Sequence, residues 1–423
     1  MKIAIIRFPL ESALGGEELH TLEVAKSLAA AGHEPVFVGD CPVLLDLFAQ
    51  NDLETFNTKL AKPPVTAKLL LKFSLLFPYY WLKSLILTME LIAQKFDRYY
   101  LLGFAEKLLL PIHLPHSNLI FMEHARIDRW FYKNPWRHLY YFFIQRCQVI
   151  TVSKLMQTSL TKDKKNPERY KIKVIPNGID LKAFPTKTEP NFSKAKVQIT
   201  TIGRLTDDKG MREFVEFIKL LKERGENIAA TIIGNGPLRN ELEAQIQATN
   251  LGDTVDIKSS LSQDQVHAAL AKADLFCLFS TKIDPFGLVV AEAMSSGVNV
   301  LISDQCGIKD YSDLIKVFPA NDLTKAVELY SEIKTKPLSP QQLHKEAVAK
   351  FDAQKMLKAI QDSMRLLGGH KWRIKRPSPT NPHFPATKTL LSVAEIFRSR
   401  LPAALRLVIL TLADQQNPDQ NRD

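Results

Sequence analysis

Short apolar runs rich in β-branched residues alternate with helix-periodic segments twice along this chain, and that alternation restricts the fold more than any other feature. Residues 2–8, 34–39, 98–102, 118–123 and 148–152 read as strands, with helical runs between them, the first over 17–31 and ended by Gly32. The pattern repeats with strands near 197–203, 228–233, 255–258, 274–280 and 298–303, and helices near 209–224, 237–249, 262–272 and 286–296. Parallel strands need long crossovers, so this alternation predicts parallel, doubly wound sheets. At 423 residues the chain exceeds one ordinary core, and 45% hydrophobic residues suffice for two. We therefore expect an α/β protein with one such domain over 1–175 and another over 176–350, the segment 176–184 lying on the hinge side between them.

The densest chemistry lies in residues 280–297, STKIDPFGLVVAEAMSSG, which set Asp284 and Glu292 eight positions apart. Phe286, Val289, Val290, Ala293, Met294 and Gly297 recur at helical spacing, so one face packs on a core. A carboxylate amid that apolar run needs a polar partner, and a ligand's hydroxyls would supply one. The plainer alternative makes Asp284 an N-cap, Pro285 the first helical residue and Glu292 solvent-facing. Upstream, residues 197–210 read VQITTIGRLTDDKG: a strand, Gly203-Arg204 at its end, then Lys209-Gly210 opening an amphipathic helix. Ligands of open α/β sheets bind beyond the carboxyl ends of the strands, and a helix N-terminus there favours anions. A guanidinium fork and a mobile ammonium suit a diphosphate; a solvated basic turn is the alternative. Asn235-Gly236-Pro237 forms another strand-to-helix turn fit for close backbone approach. The early Gly15-Gly16 pair does not complete a GxGxxG fingerprint, which counts against a dinucleotide-dependent dehydrogenase.

Taken together, these runs, with VIPNGID at 174–180 and Gly15-Gly16, resemble the retaining family 4 glycosyltransferases of GT-B fold. The likeness extends along most of residues 1 to 365, with four motifs in the family's order. It implies two facing Rossmann-like domains with the donor cleft between them, and a helix over 351–367 crossing back to the first. It also implies that Arg204 and Lys209 hold the donor diphosphate without a metal or other cofactor. Glu292 would bind the nucleotide ribose, and Asp284 would take the place of the family's sugar-binding Glu. The backbone amides of Phe286, Gly287 and Leu288 would line sugar and phosphate, with Gly15 and Gly16 closing from the first domain. His124, in FMEHARID, matches the family's histidine near the transferred sugar. Gly203 and Asn235 complete the expected donor-binding set. The implied function is transfer of a hexose-type sugar from a nucleotide diphosphate sugar to a lipid-linked or polysaccharide acceptor in cell-envelope glycan synthesis. The rivals are a non-catalytic nucleotide-sugar-binding homologue and a GT-B epimerase. Three departures stand out: Asp284 is one methylene shorter than Glu, VDIKSS at 255–260 lacks the usual glycine, and Cys306-Gly307-Ile308 matches the family's turn only loosely.

A net charge of +11 is unevenly spread, but no aromatic-basic module accompanies it, so no nucleic-acid partner is expected. Residues 55–89 contain no acid, yet hold Lys59, Lys62, Lys68, Lys72 and Lys83 among LLL, FSLLFPYYWL and SLILTM. Their longest uncharged run, 73–82, is too short to span a bilayer. Apolar bulk with lysines suits an anionic membrane surface, and a helical hairpin buried against its own domain is the alternative. A Pro-rich linker and basic amphipathic tail are expected over 368–423. Four scattered cysteines without paired spacing, and a strand-like start with no signal-peptide pattern, point to a reducing cytoplasm and a peripheral position at the inner face of the membrane.

Overall fold

The computed structural model describes residues 1–366 except 10–14, 125–128, 163 and 182–185, so the expected tail over 368–423 lies outside the described residues. The strands are β1 Lys2–Arg7, β2 Glu34–Gly39, β3 Glu54–Asn57, β4 Arg98–Leu101, β5 Leu119–Glu123, β6 Gln148–Thr151 and β7 Ile172–Val174 in the first half. They form one seven-stranded parallel sheet in the order β3-β2-β1-β4-β5-β6-β7. In the second half, β8 Val197–Ile202, β9 Ile228–Ile233, β10 Val255–Lys258, β11 Leu275–Leu278, β12 Asn299–Ser303 and β13 Lys316–Phe318 form a six-stranded parallel sheet, β10-β9-β8-β11-β12-β13. Two parallel-sheet, Rossmann-like domains thus follow one another, as the alternation dictates.

The central strands are legible because helices cover both faces of each sheet, so nearly every residue must be apolar. Ile3, Ala4, Ile5 and Ile6 of β1 are all fully buried. Strands β3, β7 and β13 escape a reading of apolar runs. They sit at sheet edges, and β3 (ETFN) is mostly exposed, so no hydrophobic pattern marks it.

Helix Met211–Glu223 illustrates how the second domain is held. It buries Phe214, Val215, Phe217, Ile218 and Leu221 against β8 and β11 neighbours such as Phe279, each worth about 1.5–3 kcal/mol on burial. Its amino end is thereby fixed at the carboxyl edge of the sheet.

The helix expected over 351–367 is the second of a pair. The structure has two, Pro340–Phe351 and Ala353–Leu366, broken at Asp352. The break frees backbone for a partner: the Ile179 N–H donates to Phe351 O (2.8 Å), and the Ala353 N–H donates to Ile179 O (3.2 Å). The second helix lies on the first domain. Gln361 Nε2 donates to Ser27 Oγ at 2.9 Å, Lys173 Nζ to Ser363 Oγ at 2.7 Å, and Arg98 Nε to Met364 O at 3.2 Å.

Candidate active site

In both sheets the strand order reverses beside the first strand, between β1 and β4 and between β8 and β11, and the sequence-predicted residues cluster beyond those carboxyl ends. After β8 the chain passes Gly203 and Arg204, makes one turn of 3-10 helix over Asp207–Lys209, and enters its helix through Gly210. Gly210 has φ +68°, and a Cβ there would stand 1.7 Å from the Phe279 carbonyl oxygen. The turn can approach β11 so closely only because that position is glycine. Gly210→Ala is expected to lower stability by about 3 kcal/mol or more, from left-handed strain plus the clash; a denaturation midpoint like that of the parent would refute this.

That close approach carries Lys209 Nζ to 2.5 Å from Asp284 Oδ2, with the two side chains 19% and 8% exposed. Asp284 is held from every side. Its N–H donates to Gln305 O (2.9 Å), its carbonyl accepts from the Gly307 N–H (3.0 Å), and Oδ1 accepts from the Phe286 N–H at 3.4 Å. It is bridged to Cys306 in extended backbone rather than capping a helix, and the helix itself begins later, at Leu288–Ser295. The N-cap alternative for Asp284 therefore falls away. Gly287 starts that helix with φ +90°, where a Cβ would meet Cys306 Sγ at 2.5 Å. The loosely matching Cys306-Gly307 turn is thus packed directly beneath the Phe286-Gly287-Leu288 amides.

Glu292, on this helix, contrasts with Asp284. It is half-buried and forms no side-chain hydrogen bond or ion pair among the described residues. Burial pushes its carboxyl up to about 7. One carboxylate is neutralised by a protein cation, and the other has no such partner among the described residues. Arg204 stands further out, 73% exposed, with Nη2 3.8 Å from Asp208 Oδ2. Asn235 is exposed, and its carbonyl accepts from the Leu205 N–H at 2.9 Å.

The first domain reaches this region at several points. Gly15 precedes helix Gly16–Ala30, and a Cβ on Gly16 would lie 2.9 Å from Leu288 Cδ1. Ser153 Oγ donates to the Pro285 carbonyl at 2.6 Å, and the Tyr311 hydroxyl donates to Val152 O at 3.3 Å. His124 follows β5, its ring edge-on to His20 with centroids 4.3 Å apart, and neither Nε2 has a hydrogen-bond partner among the described residues. Burial holds both rings neutral, His20 down to about 4; for His124 the neighbouring His20, Lys107 and Arg7 add to the effect.

Beneath His124 lies a polar network that no motif signals. Lys107 Nζ pairs with Glu123 Oε1 at 2.8 Å and donates to Met122 O at 2.6 Å; the Tyr140 hydroxyl also donates to Glu123 Oε1, at 2.7 Å. Glu106, fully buried, accepts from the Gly103 N–H at 2.6 Å and is pushed up to about 7 by burial. Charged residues inside apolar runs, as in FAEKLLL and FMEH, are the only trace these groups leave in the sequence.

Residues 14–183 match the family model described as Glycosyltransferase Family 4, and residues 185–348 match that described as Glycosyl transferases group 1. The amylovoran biosynthesis glycosyltransferase AmsK of Erwinia amylovora is 32% identical over 145 residues, 33% of this chain and 35% of that protein. The chain spans about half the length, or less, of the curated relatives it matches. Among solved structures, a glycosyltransferase from Rickettsia africae has a TM-score of 0.69 at 16% identity, covering 88% of this chain and all but 1% of that one (99%). HepE from Anabaena, in complex with UDP and glucose, has a TM-score of 0.67 at 18% identity, covering 86% of this chain and 100% of that one. At such identities the structural likeness establishes the fold alone. The two family models, end to end across both parallel-sheet domains, place this chain among the GT-B glycosyltransferases of the family 4 and group 1 type.

Proposed function

We propose that the chain is a retaining glycosyltransferase that moves a hexose from a nucleotide diphosphate sugar to a membrane-associated, lipid-linked or polysaccharide acceptor in cell-envelope glycan synthesis. The observation that carries this reading is the Lys209–Asp284 pair at 2.5 Å, with Glu292 on the helix that follows and without a side-chain partner among the described residues, at the carboxyl edge of the second sheet. AmsK, named for amylovoran biosynthesis, and HepE, solved with UDP and glucose, support the acceptor and donor classes. As the bond from the anomeric carbon to phosphate breaks, its electron pair stays on the diphosphate oxygen. Lys209 and Arg204 stabilise that growing charge in place of a divalent ion, more in the transition state than before it. The acceptor oxygen bonds to the anomeric carbon on the face the phosphate leaves, and its proton passes to the departing phosphate. Glu292 accepts from the ribose hydroxyls. Asp284 Oδ1, neutral His124 and the Phe286, Gly287 and Leu288 amides orient the sugar, with Gly15 and Gly16 closing over the phosphate.

The inner leaflet of the membrane is the proposed place of work. No single described helix is long and apolar enough to cross a bilayer. Helices Ala67–Leu75 and Phe77–Ala93 are bent by 73° at their junction, and the pair with its linking residue exposes Leu71, Leu75, Leu76 and Tyr79, Leu71 at 63% and Leu75 at 72%. Bulky apolar side chains beside lysines suit an anionic interface, each lysine contributing about 1 kcal/mol. Turnover of UDP-hexoses with a membrane fraction as acceptor tests the activity; release of nucleoside diphosphate without glycan product would instead indicate hydrolysis or epimerisation. Reversing Lys68, Lys72 and Lys83 to Glu is expected to abolish sedimentation with anionic vesicles and leave UDP affinity unchanged. Vesicle binding that ignores both salt and this reversal would refute the membrane reading.

A further inference from the structure

Beyond the carboxyl ends of β1, β2 and β3 the first domain holds an open cavity of about 300 Å³, lined by none of the donor-site residues. Pro9, just after β1, and Asp40, just after β2, form its sheet side, and Lys59 and Lys62 line it beyond β3. Lys72 and Lys83 enter from the two bent helices, together with Tyr79 and Tyr80. Four lysines against one aspartate give the described lining a net charge of +3. None of the four forms an ion pair among the described residues, and Lys83 Nζ lies over the Tyr79 ring, 5.6 Å from its centroid. The lysines converge on the cavity: burial raises the Asp40 carboxyl, and Lys59, Lys62 and Lys83 pull it back. Asp40 Oδ1 is buried without a hydrogen-bond partner among the described residues. A lone carboxylate does not discharge four cations, and a neutral sugar would leave them facing each other in a concave site. The complementary ligand is a compact polyanion with a hydroxyl or protonated oxygen for Asp40.

We propose that this cavity binds the phosphate or diphosphate of the acceptor, resting on the glycosyltransferase reading above. The helix that contributes Leu69, Lys72 and Phe73 to the cavity turns Leu71 and Leu75 to the outside, as a 100° step per residue requires. A lipid chain attached to the bound phosphate would leave along that exposed apolar ridge. The cavity lies at the same carboxyl edge of the sheet as Gly15-Gly16, so the phosphate end of an acceptor held here faces the side on which the donor domain closes.

The test is calorimetric titration of the full chain, saturated with UDP, with inorganic pyrophosphate. A saturable site of one pyrophosphate per chain is expected. Lys59→Ala/Lys62→Ala should weaken it about tenfold. Lys26→Ala/Lys171→Ala, which removes equal charge from outside the cavity, should leave it unchanged, and both variants should bind UDP as the parent does. No second site, or equal loss in both double variants, would overturn the proposal. Failure of UDP to bind would count against the donor reading and leave the pyrophosphate isotherm to be judged alone. Flotation with neutral vesicles carrying a polyprenyl diphosphate separates the sources of the ligand: recruitment lost in Lys59→Ala/Lys62→Ala identifies a lipid headgroup. Binding of pyrophosphate without recruitment identifies a soluble phosphorylated acceptor.

Discussion

Replacing Lys209 by alanine is expected to lower kcat/KM on the nucleotide sugar about 10²–10³-fold, the loss that follows removal of one preorganised charge-stabilising donor. The same change leaves Asp284, 8% exposed, without its cation, and should cost about 2–4 kcal/mol of stability. These two effects separate in the double variant. Lys209→Ala/Asp284→Ala should recover most of the stability, since the stranded carboxylate is gone, yet remain as inactive as the single variant. Arg204→Ala gives the complementary pattern: its side chain is 73% exposed, so the melting temperature should hold while turnover falls. Thermal melts alongside steady-state kinetics are the measurement. Near-normal kcat/KM in both single variants would remove the cationic pair from the mechanism, and a double variant no more stable than Lys209→Ala would show that the ion pair does not hold the loop.

Glu292→Gln should make the ligand-free protein more stable and the donor site weaker. The carboxyl stands at about 7 in the folded chain against 4.5 unfolded. Its folded pKa is raised, so the folded state binds the proton more tightly. Its contribution is fully present below 4.5 and is lost as pH rises through 7. At pH 8 the parent carries the whole penalty of a half-buried charge with no partner among the described residues, and glutamine removes it, gaining at most about 3 kcal/mol. At pH 4 the two proteins should be equally stable, because the parent carboxyl is then protonated. In the proposed ribose site bound nucleotide should reverse the preference: ribose hydroxyls donating to the carboxylate would favour its charged form, so UDP should bind the parent more tightly than the glutamine variant by about 10–100-fold. Binding near pH 7 should also release protons in the parent alone, read from titrations in buffers of different ionisation enthalpy. Equal stability of the two proteins across pH 4 to 8 would refute the buried-charge account, and unchanged UDP affinity would take Glu292 out of the ribose site.

Residues 2–7, 197–202 and 275–278 were legible as strands because burial on both faces leaves no freedom in their composition. Their alternation with helices then permits few folds. Arg204, Lys209, Asp284 and Glu292 were legible as candidates because charge at a strand end, or inside an apolar helix, carries a cost that only a partner relieves. Who the partner is was not legible. Asp284 and Glu292 are both acids in one run, yet the first is neutralised by Lys209, 75 positions earlier, and the second by no side chain among the described residues. Pairing across such a separation is set by where Gly210 lets the backbone touch Phe279, a contact with no local signature. The His20–His124 contact, the Lys107–Glu123–Tyr140 network and the lysine cavity around Asp40 share this property, since each joins residues from separate crossovers. The sequence by itself therefore determined the periodicities, the two parallel sheets and the residues whose burial would be costly. The tertiary structure alone decided which charges meet, because a strand end can approach another only at distances that the packing of the intervening helices sets.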